Sequence, residues 1–205
     1  MNRRSICVVL GMALIILTNA TTAQSNMDRQ QETITLGAGC FWCVEAIFES
    51  IPGVISAQSG YAGGHIKNPA YREVCTGRTG HAEVVQLKFD ASQVELSLIL
   101  EVFFATHDPT TLNRQGADVG TQYRSAIFFH NDHQKPVVEK AIEDAQGGYP
   151  RPIVTEVAAF DVFYPAEDDH QAYYELNNEA PYCRAVIAPK LDKFRKEFES
   201  VIKFE

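Results

Sequence analysis

The spacing of apolar residues along the chain switches repeatedly between the two-residue period of a strand and the longer period of a helix. Strands are predicted at residues 32–38, 54–61, 81–89, 124–129 and 153–160. Helices are predicted at residues 41–50, 92–103, 132–146, 166–177 and 189–201. Because helices interleave with strands, the pattern predicts an α/β (α+β) sandwich in which helices flank a mixed sheet.

One long stretch fits neither period. Residues 107–122 are rich in Gly, Asp, Asn and Thr. A loop of that length in a compact domain is usually functional or disordered. Asp118 lies within this loop and Tyr123 directly follows it, so both are candidates for a site.

The first 23 residues are patterned differently from the rest of the chain. Arg3 and Arg4 precede an apolar run at residues 6–17, and small residues follow that run. This order is typical of a signal peptide, and the run is shorter than a membrane span. We expect cleavage near Ala23, with an uncleaved anchor as the alternative. No cysteine follows the run, so the pattern does not indicate a lipoprotein anchor.

The remainder is predicted to be a polar leader at 24–31 and a single domain at 32–205. The full chain of 205 residues is 45% hydrophobic and 21% charged, which suits a globular protein that buries its own core. Its net charge is −8 and it has no basic run, which argues against nucleic acid as a partner. We expect an exported monomer, located in a bacterial periplasm.

The cysteines of the chain indicate redox chemistry more than structural crosslinks. Cys7 lies in the predicted signal peptide, which leaves Cys40, Cys43, Cys75 and Cys183. An even number of cysteines in an exported protein suggests disulfides. A domain of this size does not need crosslinks for stability, so redox chemistry becomes the stronger interpretation. Cys75 is expected to pack in the interior, as thiols commonly do.

The sequence GCFWC places two of these cysteines at the start of a predicted helix. Cys40 follows a glycine turn, where free backbone N–H groups and the helix dipole favour a thiolate. Cys43 lies one turn further along, on the same side of the helix. Cys40 is therefore the candidate nucleophile, and Cys43 is a candidate to attack it in a later step.

Three other interpretations of the pair compete with a small-molecule redox site. A thioredoxin-like disulfide exchanger also carries C-x-x-C where a strand meets a helix. However, the two bulky rings between these cysteines disfavour the docking of a protein disulfide. A zinc site would need a second close pair of Cys or His ligands, which the sequence lacks, so no metal is expected. A structural crosslink across one helical turn closes too small a loop to stabilise the fold much.

The helical period separates the residues between the cysteines. If the buried face of the helix carries Val44, Ile47 and Phe48, then Trp42 falls on the other face, beside Glu45. A tryptophan there is either a chance exposure or the wall of a site. Phe41 suits the core as well as it suits a site.

Glu83 is the candidate acid. In the predicted strand it shares one face with the apolar residues Val85, Leu87 and Phe89. Desolvation at such a position raises a carboxyl pKa, so Glu83 could hold a proton near neutral pH and donate it. The alternative is a strand-end glutamate that reaches solvent.

Two tyrosines and the histidines complete the list of candidates. Tyr71 and Tyr123 adjoin polar or glycine-rich loops, where a phenol could hydrogen-bond a polar oxygen. None of the six histidines is paired at metal-binding spacing. His170 is expected on the surface of a helix.

Several segments together resemble the peptide methionine sulfoxide reductase A family. They are GCFWCVEAIFESIPGV, GYAGG, YREVCTGRTGHAEVVQ, HDPTTLNRQGADVGTQYRSAIFF and FYPAEDDHQAYY, and the resemblance runs from about Glu32 to Phe198. It implies a ferredoxin-like mixed sheet with flanking helices. It also implies thiol-dependent reduction of the S epimer of methionine sulfoxide, free or in proteins, without a metal or an organic cofactor.

The resemblance implies a role for each matching residue. Cys40 matches the nucleophile that attacks the sulfoxide sulfur and becomes a sulfenic acid. Glu83 matches the proton donor to the sulfoxide oxygen. Phe41 and Trp42 match a hydrophobic pocket for the substrate methyl group.

Further matches complete the implied pocket. Tyr71 and Tyr123 match the residues that hydrogen-bond the sulfoxide oxygen together with Glu83. Asp118 matches a polar residue near the substrate. Residues 32–205 would then form a catalytic domain that repairs oxidised proteins.

The resemblance leaves the resolving cysteine open. Some members of the family use the second cysteine of G-C-F-W-C, which matches Cys43. Others use a cysteine in a flexible glycine-rich tail, and Cys183 resembles the first such position, although a predicted helix replaces the tail here. Proximity favours Cys43, with Cys183 or a relay through both as alternatives. A thioredoxin-like protein would reduce the resulting disulfide, and for an exported enzyme this donor must be extracytoplasmic.

Overall fold

The computed structural model describes residues 30–203. The predicted signal peptide and nearly all of the polar leader lie outside the described residues. No helix within 30–203 is both long enough and apolar enough to cross a membrane.

Among the described residues, a six-stranded sheet forms the centre of the fold, and a second, two-stranded sheet is a short hairpin. The strands are β1 Gln31–Ala38, β2 Val54–Ala62, β3 Ala82–Asp90, β4 Arg114–Gln115, β5 Asp118–Val119, β6 Ser125–Phe129, β7 Glu156–Ala159 and β8 Phe163–Pro165. The large sheet has the order β7-β6-β1-β3-β2-β8, and β4 pairs with β5. Only the β6–β7 pair is parallel, so the sheet is mixed.

Within residues 30–203, six α-helices accompany the sheet. They are α1 Phe41–Glu49, α2 Tyr71–Val74, α3 Leu96–Ala105, α4 Gln134–Gln146, α5 Tyr173–Leu176 and α6 Ala188–Phe198. A π-helical turn at Cys183–Ile187 leads into α6. The predicted sandwich of a mixed sheet with flanking helices is confirmed.

The alternation of side chains along the strands divides the core into two parts. In β3, Val85 and Leu87 join the large cluster that includes the apolar residues of α1, α3 and α6. Val84, on the opposite face of the same strand, joins a smaller cluster that contains Phe128 and contacts Phe163. The large cluster holds the helices against the sheet. It therefore also fixes the position of α1 relative to β1 and β3.

Two local predictions are wrong. The helix expected at 166–177 is interrupted, because the side chain of Gln171 bonds to the backbone N–H and C=O of Ser59 and holds the chain extended there. Only residues 168–170 and α5 are helical. The helix predicted from residue 92 begins later than expected, because the Ser92 hydroxyl donates to Asp90 and α3 starts only at Leu96.

Candidate active site

Cys40 lies at the junction between β1 and α1. Gly39 makes the turn with φ +90°, a backbone conformation that residues other than glycine rarely adopt. A Cβ atom at Gly39 would also lie 2.6 Å from Cγ of Gln115. The glycine therefore allows the β4–β5 hairpin to pack against the residue that precedes the thiol.

Cys40 at the N-cap of α1 and Cys43 within it form a hydrogen-bonded pair. Cys40 is half-buried and Cys43 is buried. The hydroxyl of Tyr182 lies 3.9 Å from Sγ of Cys43 and also hydrogen-bonds with Cys40. One tyrosine from the C-terminal part of the chain thus contacts both thiols.

The sequence predicts that Cys40 is the thiolate of the pair, but in the structure the lowered pKa belongs to Cys43. The hydrogen bond with Cys43, then burial, raises the pKa of Cys40 well above its ordinary value. The hydrogen bond with Cys40 lowers the pKa of Cys43 to about 7, assisted by the positive charge of Lys190. The pair therefore carries its first negative charge on Cys43, because the neighbouring thiol outweighs the helix N-terminus at Cys40.

Glu83 is the buried acid of the site. Its side chain is only 1% exposed, and its Oε2 accepts a hydrogen bond of 3.1 Å from the backbone N–H of Phe41. Burial, and then the charge of Cys40, raise the pKa of Glu83 well above its ordinary value. The predicted raised pKa is confirmed, and Glu83 does not extend into solvent.

The structure brings Tyr71, Tyr123 and Asp118 into the same electrostatic environment. Burial raises the pKa of both tyrosines, and the charge of Glu83 raises them further. Burial also raises the pKa of Asp118, and Asp118 in turn raises the pKa of Glu83. These three residues, predicted from separate segments, therefore lie within electrostatic range of the acid.

Glu167 fixes one side of this group. Its Oε1 accepts from the backbone N–H of Tyr71 at 2.8 Å, and its Oε2 accepts from the hydroxyl of Tyr61 at 2.9 Å. The start of α2 is thereby tied to the region before α5. Neither Glu167 nor Tyr61 was a candidate from the sequence, because both act only through long-range hydrogen bonds.

An aromatic wall adjoins the thiol pair. Phe41 is buried in the main core and lies parallel to Tyr71, with ring centroids 6.3 Å apart. Trp42 is half-buried and stacks on Tyr173 at 3.7 Å with an interplanar angle of 7°. The sequence predicted Trp42 on an open polar face, but the segment before and within α5 covers it.

His170 is buried in the site and not on the surface of a helix as expected. It is only 8% exposed, and its ring lies 4.2 Å from that of Tyr71 and 5.5 Å from that of Trp42. The sequence placed it on a helix surface because the helix at 166–177 was expected to be continuous. Because that helix is broken, His170 and Tyr173 face the site. The one sequence signal for this arrangement is the concentration of aromatic rings in HQAYY.

Of the two other cysteines in the described residues, Cys183 is buried and Cys75 is exposed. Cys183 is fully buried in an apolar cluster that also contains Cys43 and Ile187. Cys75 is exposed rather than interior, because it follows the single turn of α2 at the domain surface. It hydrogen-bonds with the hydroxyl of Tyr71. All four cysteines within residues 30–203 are free thiols.

The site joins a hydrogen-bonded thiol pair, a buried acid with a raised pKa and an aromatic wall. This combination defines a thiol-based oxidoreductase that acts on a small polar group. Among the described residues, no group of three or more His, Cys, Asp or Glu side chains could hold a metal ion.

Comparison with known proteins identifies the family. Residues 32–202 match the family model of peptide methionine sulfoxide reductase. The chain is 53% identical over 172 residues to the peptide methionine sulfoxide reductase MsrA of Saccharolobus solfataricus, covering 84% of this chain and 97% of that protein.

Solved structures agree with the sequence comparison. Mxr1 from Saccharomyces cerevisiae in reduced form has a TM-score of 0.72 and 34% identity, over 76% of this chain and 90% of that chain. Mxr1 in complex with Trx2 has a TM-score of 0.51 and 25% identity, over 71% and 86%. The chain belongs to the peptide methionine sulfoxide reductase family. It is a thiol-dependent peptide-methionine (S)-S-oxide reductase.

Proposed function

We propose that Cys40 is the nucleophile of this reductase and that Glu83 is its proton donor. The observation that carries the proposal is the hydrogen bond from the N–H of Phe41 to the carboxyl of Glu83. It places the acid beside the residue that directly follows the thiol. Burial raises the pKa of the acid and so favours its protonated form, which can donate where the sulfoxide oxygen would lie.

The aromatic wall suits the other end of the substrate. The substrate methyl group packs against Phe41 and Trp42, and the hydroxyls of Tyr71 and Tyr123 hydrogen-bond the sulfoxide oxygen. Asp118 contributes a polar contact at the β5 edge of the pocket. This division of apolar and polar groups accounts for selection of one epimer, because the methyl group and the oxygen cannot exchange places.

The thiol pair supplies the nucleophile without a separate base. Cys40 passes its proton to the Cys43 thiolate along the existing hydrogen bond. The sulfur of Cys40 then attacks the sulfoxide sulfur while Glu83 donates its proton to the oxygen. The protonated oxygen then transfers from the substrate sulfur to the sulfur of Cys40, and the bond between the two sulfurs breaks. Methionine leaves, and Cys40 becomes a sulfenic acid. The substrate sulfur gains two electrons and Cys40 loses two.

Cys43 resolves the sulfenic acid in this proposal. Its sulfur attacks Cys40, the Cys43 proton leaves with the hydroxyl as water, and a disulfide forms. Cys183 is the alternative, either directly or by exchange with a Cys40–Cys43 disulfide, since it lies in the same apolar cluster as Cys43. The contact between Cys40 and Cys43 favours Cys43 as the first partner.

A thioredoxin-type protein is the proposed reductant, and no bound cofactor is required. Support comes from the solved complex of Mxr1 with Trx2. Thiolate attack on the disulfide returns the enzyme to its dithiol state. The substrates are oxidised proteins or free methionine sulfoxide, which makes the enzyme a repair protein for oxidative damage.

The N-terminal pattern adds a proposal on location. The chain is exported to a bacterial periplasm as a monomer after cleavage near Ala23, and an extracytoplasmic thioredoxin-like protein serves it. N-terminal sequencing of the protein from periplasmic and cytoplasmic fractions tests this. Full-length chains confined to the cytoplasm would contradict export.

The assignment of roles is tested with purified protein, dithiothreitol and dabsyl-methionine-S-sulfoxide. Cys40→Ser abolishes reduction in this account, and activity that survives the substitution would contradict it. Reduction of insulin disulfides in a parallel assay provides a control. An enzyme that exchanged protein disulfides without reducing the sulfoxide would instead be a general disulfide exchanger.

A further inference from the structure

Tyr173 covers Trp42 almost ring on ring. Their centroids are 3.7 Å apart and the planes differ by 7°. Trp42 belongs to α1, whereas Tyr173 comes from a segment more than 120 residues later in the chain. The position of the indole, and with it the shape of the aromatic wall, therefore depends on how firmly this late segment is held.

The segment is held on one side by β2. The side chain of Gln171 accepts from the N–H of Ser59 at 3.1 Å and donates to the carbonyls of Ser59 and Ala166 at 2.9 Å. The next residue, Ala172, has φ 48° and ψ 35°. A non-glycine residue in this left-handed region is strained, and such a conformation persists only where its surroundings hold it.

Glu45 holds the segment on the other side. This glutamate is 1% exposed although the sequence placed it on a polar face of α1. Burial raises the pKa of its carboxyl, and hydrogen bonds from the backbone N–H of Ala172, from Ser59 of β2 and from the backbone N–H of Tyr173 partly offset that rise. Burying a carboxyl is costly unless it is hydrogen-bonded, so these contacts explain why Glu45 is tolerated inside the protein.

The spacing along α1 makes the contact relevant to the pocket. Trp42 and Glu45 are three residues apart, so they lie on the same side of the helix. Glu45 binds the backbone of Tyr173 while Trp42 stacks on its ring. One helix face thus contacts one residue twice, and loss of the backbone contact would release the ring contact as well.

We propose that Glu45 is a positioning residue that holds Tyr173 against Trp42 and thereby fixes the pocket for the substrate methyl group. The inference rests on the role proposed above for Trp42. Glu45 takes no part in proton or electron transfer. Its effect is on substrate binding, through the orientation of the indole.

The test is a double-mutant cycle between Glu45 and Tyr173. Glu45→Gln keeps the side-chain shape but turns one acceptor into an NH₂ donor that faces two N–H groups. It raises KM for dabsyl-methionine-S-sulfoxide about tenfold and changes kcat less than about twofold. Tyr173→Ala raises KM by a similar factor. In the double variant, Glu45→Gln adds less than about twofold, because the ring it positions is already gone.

Fluorescence provides a readout that a general loss of stability would not give. The chain contains a single tryptophan, so its emission reports Trp42 alone. In Glu45→Gln and in Tyr173→Ala the emission shifts to longer wavelength by a similar amount, and the double variant shifts no further. Glu49→Gln is the matched control, since Glu49 is exposed one turn along the same helix face. Its KM and emission stay at wild-type values.

The outcomes separate the inference from the function on which it rests. If Tyr173→Ala raises KM while Glu45→Gln leaves KM and emission unchanged, the role of Glu45 is wrong and the pocket stands. Additive effects on KM would also overturn it. If Trp42→Ala leaves KM unchanged, the pocket assignment itself fails. Should Glu45→Gln not fold, Glu45→Asp, which withdraws the carboxyl by one methylene, takes its place in the same cycle.

Discussion

The backbone N–H of Phe41 donates a hydrogen bond of 3.1 Å to Oε2 of Glu83. This bond joins the helix that begins beside the reactive thiol to the strand that carries the acid. Because the donor is a backbone group, its position is set by the fold, and the bond depends on a single side-chain rotamer, that of Glu83. It is the contact from which the proposed chemistry follows.

Replacing Glu83 by Gln should slow the reduction step by more than about tenfold, because a proton donor is lost while the shape of the site is kept. The pH profile should change too. In the wild-type enzyme kcat/KM should rise as the thiol pair ionises near the lowered pKa of Cys43, about 7, and should fall where Glu83, whose pKa is raised, loses its proton. Stopped-flow single-turnover rates across this range test the prediction.

The Gln variant should keep the rising limb and lose the falling limb, because Gln does not ionise. A variant with the falling limb intact would assign that limb to another group. Wild-type far-UV circular dichroism in the variant is the control for folding.

Lys190→Met should raise the pKa of Cys43, because the positive charge of Lys190 helps to lower it. Alkylation of Cys43 by iodoacetamide at pH 7, followed by mass spectrometry, should slow by about two- to fivefold as the thiolate fraction falls. Lys193→Met is the matched control: Lys193 is on the same helix, and its Nζ pairs with Glu197 at 3.5 Å. Equal slowing in both variants would show a general charge effect instead.

Gly39→Ala should damage both stability and catalysis. Its φ of +90° and the 2.6 Å approach of Gln115 leave no room for a Cβ, so about 1–3 kcal/mol of stability should be lost. Movement of the hairpin should also lower kcat/KM. Gly116→Ala is the control, because that glycine has φ +60° but no atom within 4 Å of an added Cβ. Urea unfolding and the sulfoxide assay should separate the two variants, and equal losses would contradict the packing argument.

Stability should fall in mild acid because of His107. Burial lowers the pKa of this histidine to about 4, while its ring contacts the carbonyl of Phe103 at 2.6 Å and the hydroxyl of Ser125 at 2.7 Å. Its folded pKa is below the unfolded value of about 6.5, so its contribution is complete above that value. It is lost as the pH falls from about 6.5 to about 4, by roughly 3 kcal/mol.

The measurement is urea unfolding at several pH values between 7 and 4. His107→Gln should be less stable than the wild type at pH 7 but should lose less stability on acidification. Parallel curves for the two proteins would show that other groups account for the acid sensitivity.

The sequence predicted those parts of the site that depend on local periodicity. The stripe of Val44, Ile47 and Phe48 located the buried face of α1, and the alternation along β3 located Glu83 inside the core. In both cases the neighbours that decide the environment lie within a few residues. Motif resemblance then supplied Tyr71, Tyr123 and Asp118, which no periodicity could have joined.

The sequence did not predict what covers the site. His170 and Tyr173 face Trp42 only because Gln171 bonds to a strand more than 100 residues earlier in the chain and breaks the expected helix. The order of ionisation within the thiol pair was also missed. The sequence predicted that the helix N-terminus would lower the pKa of Cys40. In the structure the hydrogen bond with Cys43 has the larger effect and raises it.

The most direct test of the central claim is the disulfide map after one turnover. Reduced enzyme is mixed with excess methionine-S-sulfoxide in the absence of any reductant, and the disulfides are assigned by peptide mass spectrometry. The account predicts one methionine released per enzyme and a bond between Cys40 and Cys43. A chain that releases methionine without oxidation of Cys40 would contradict it.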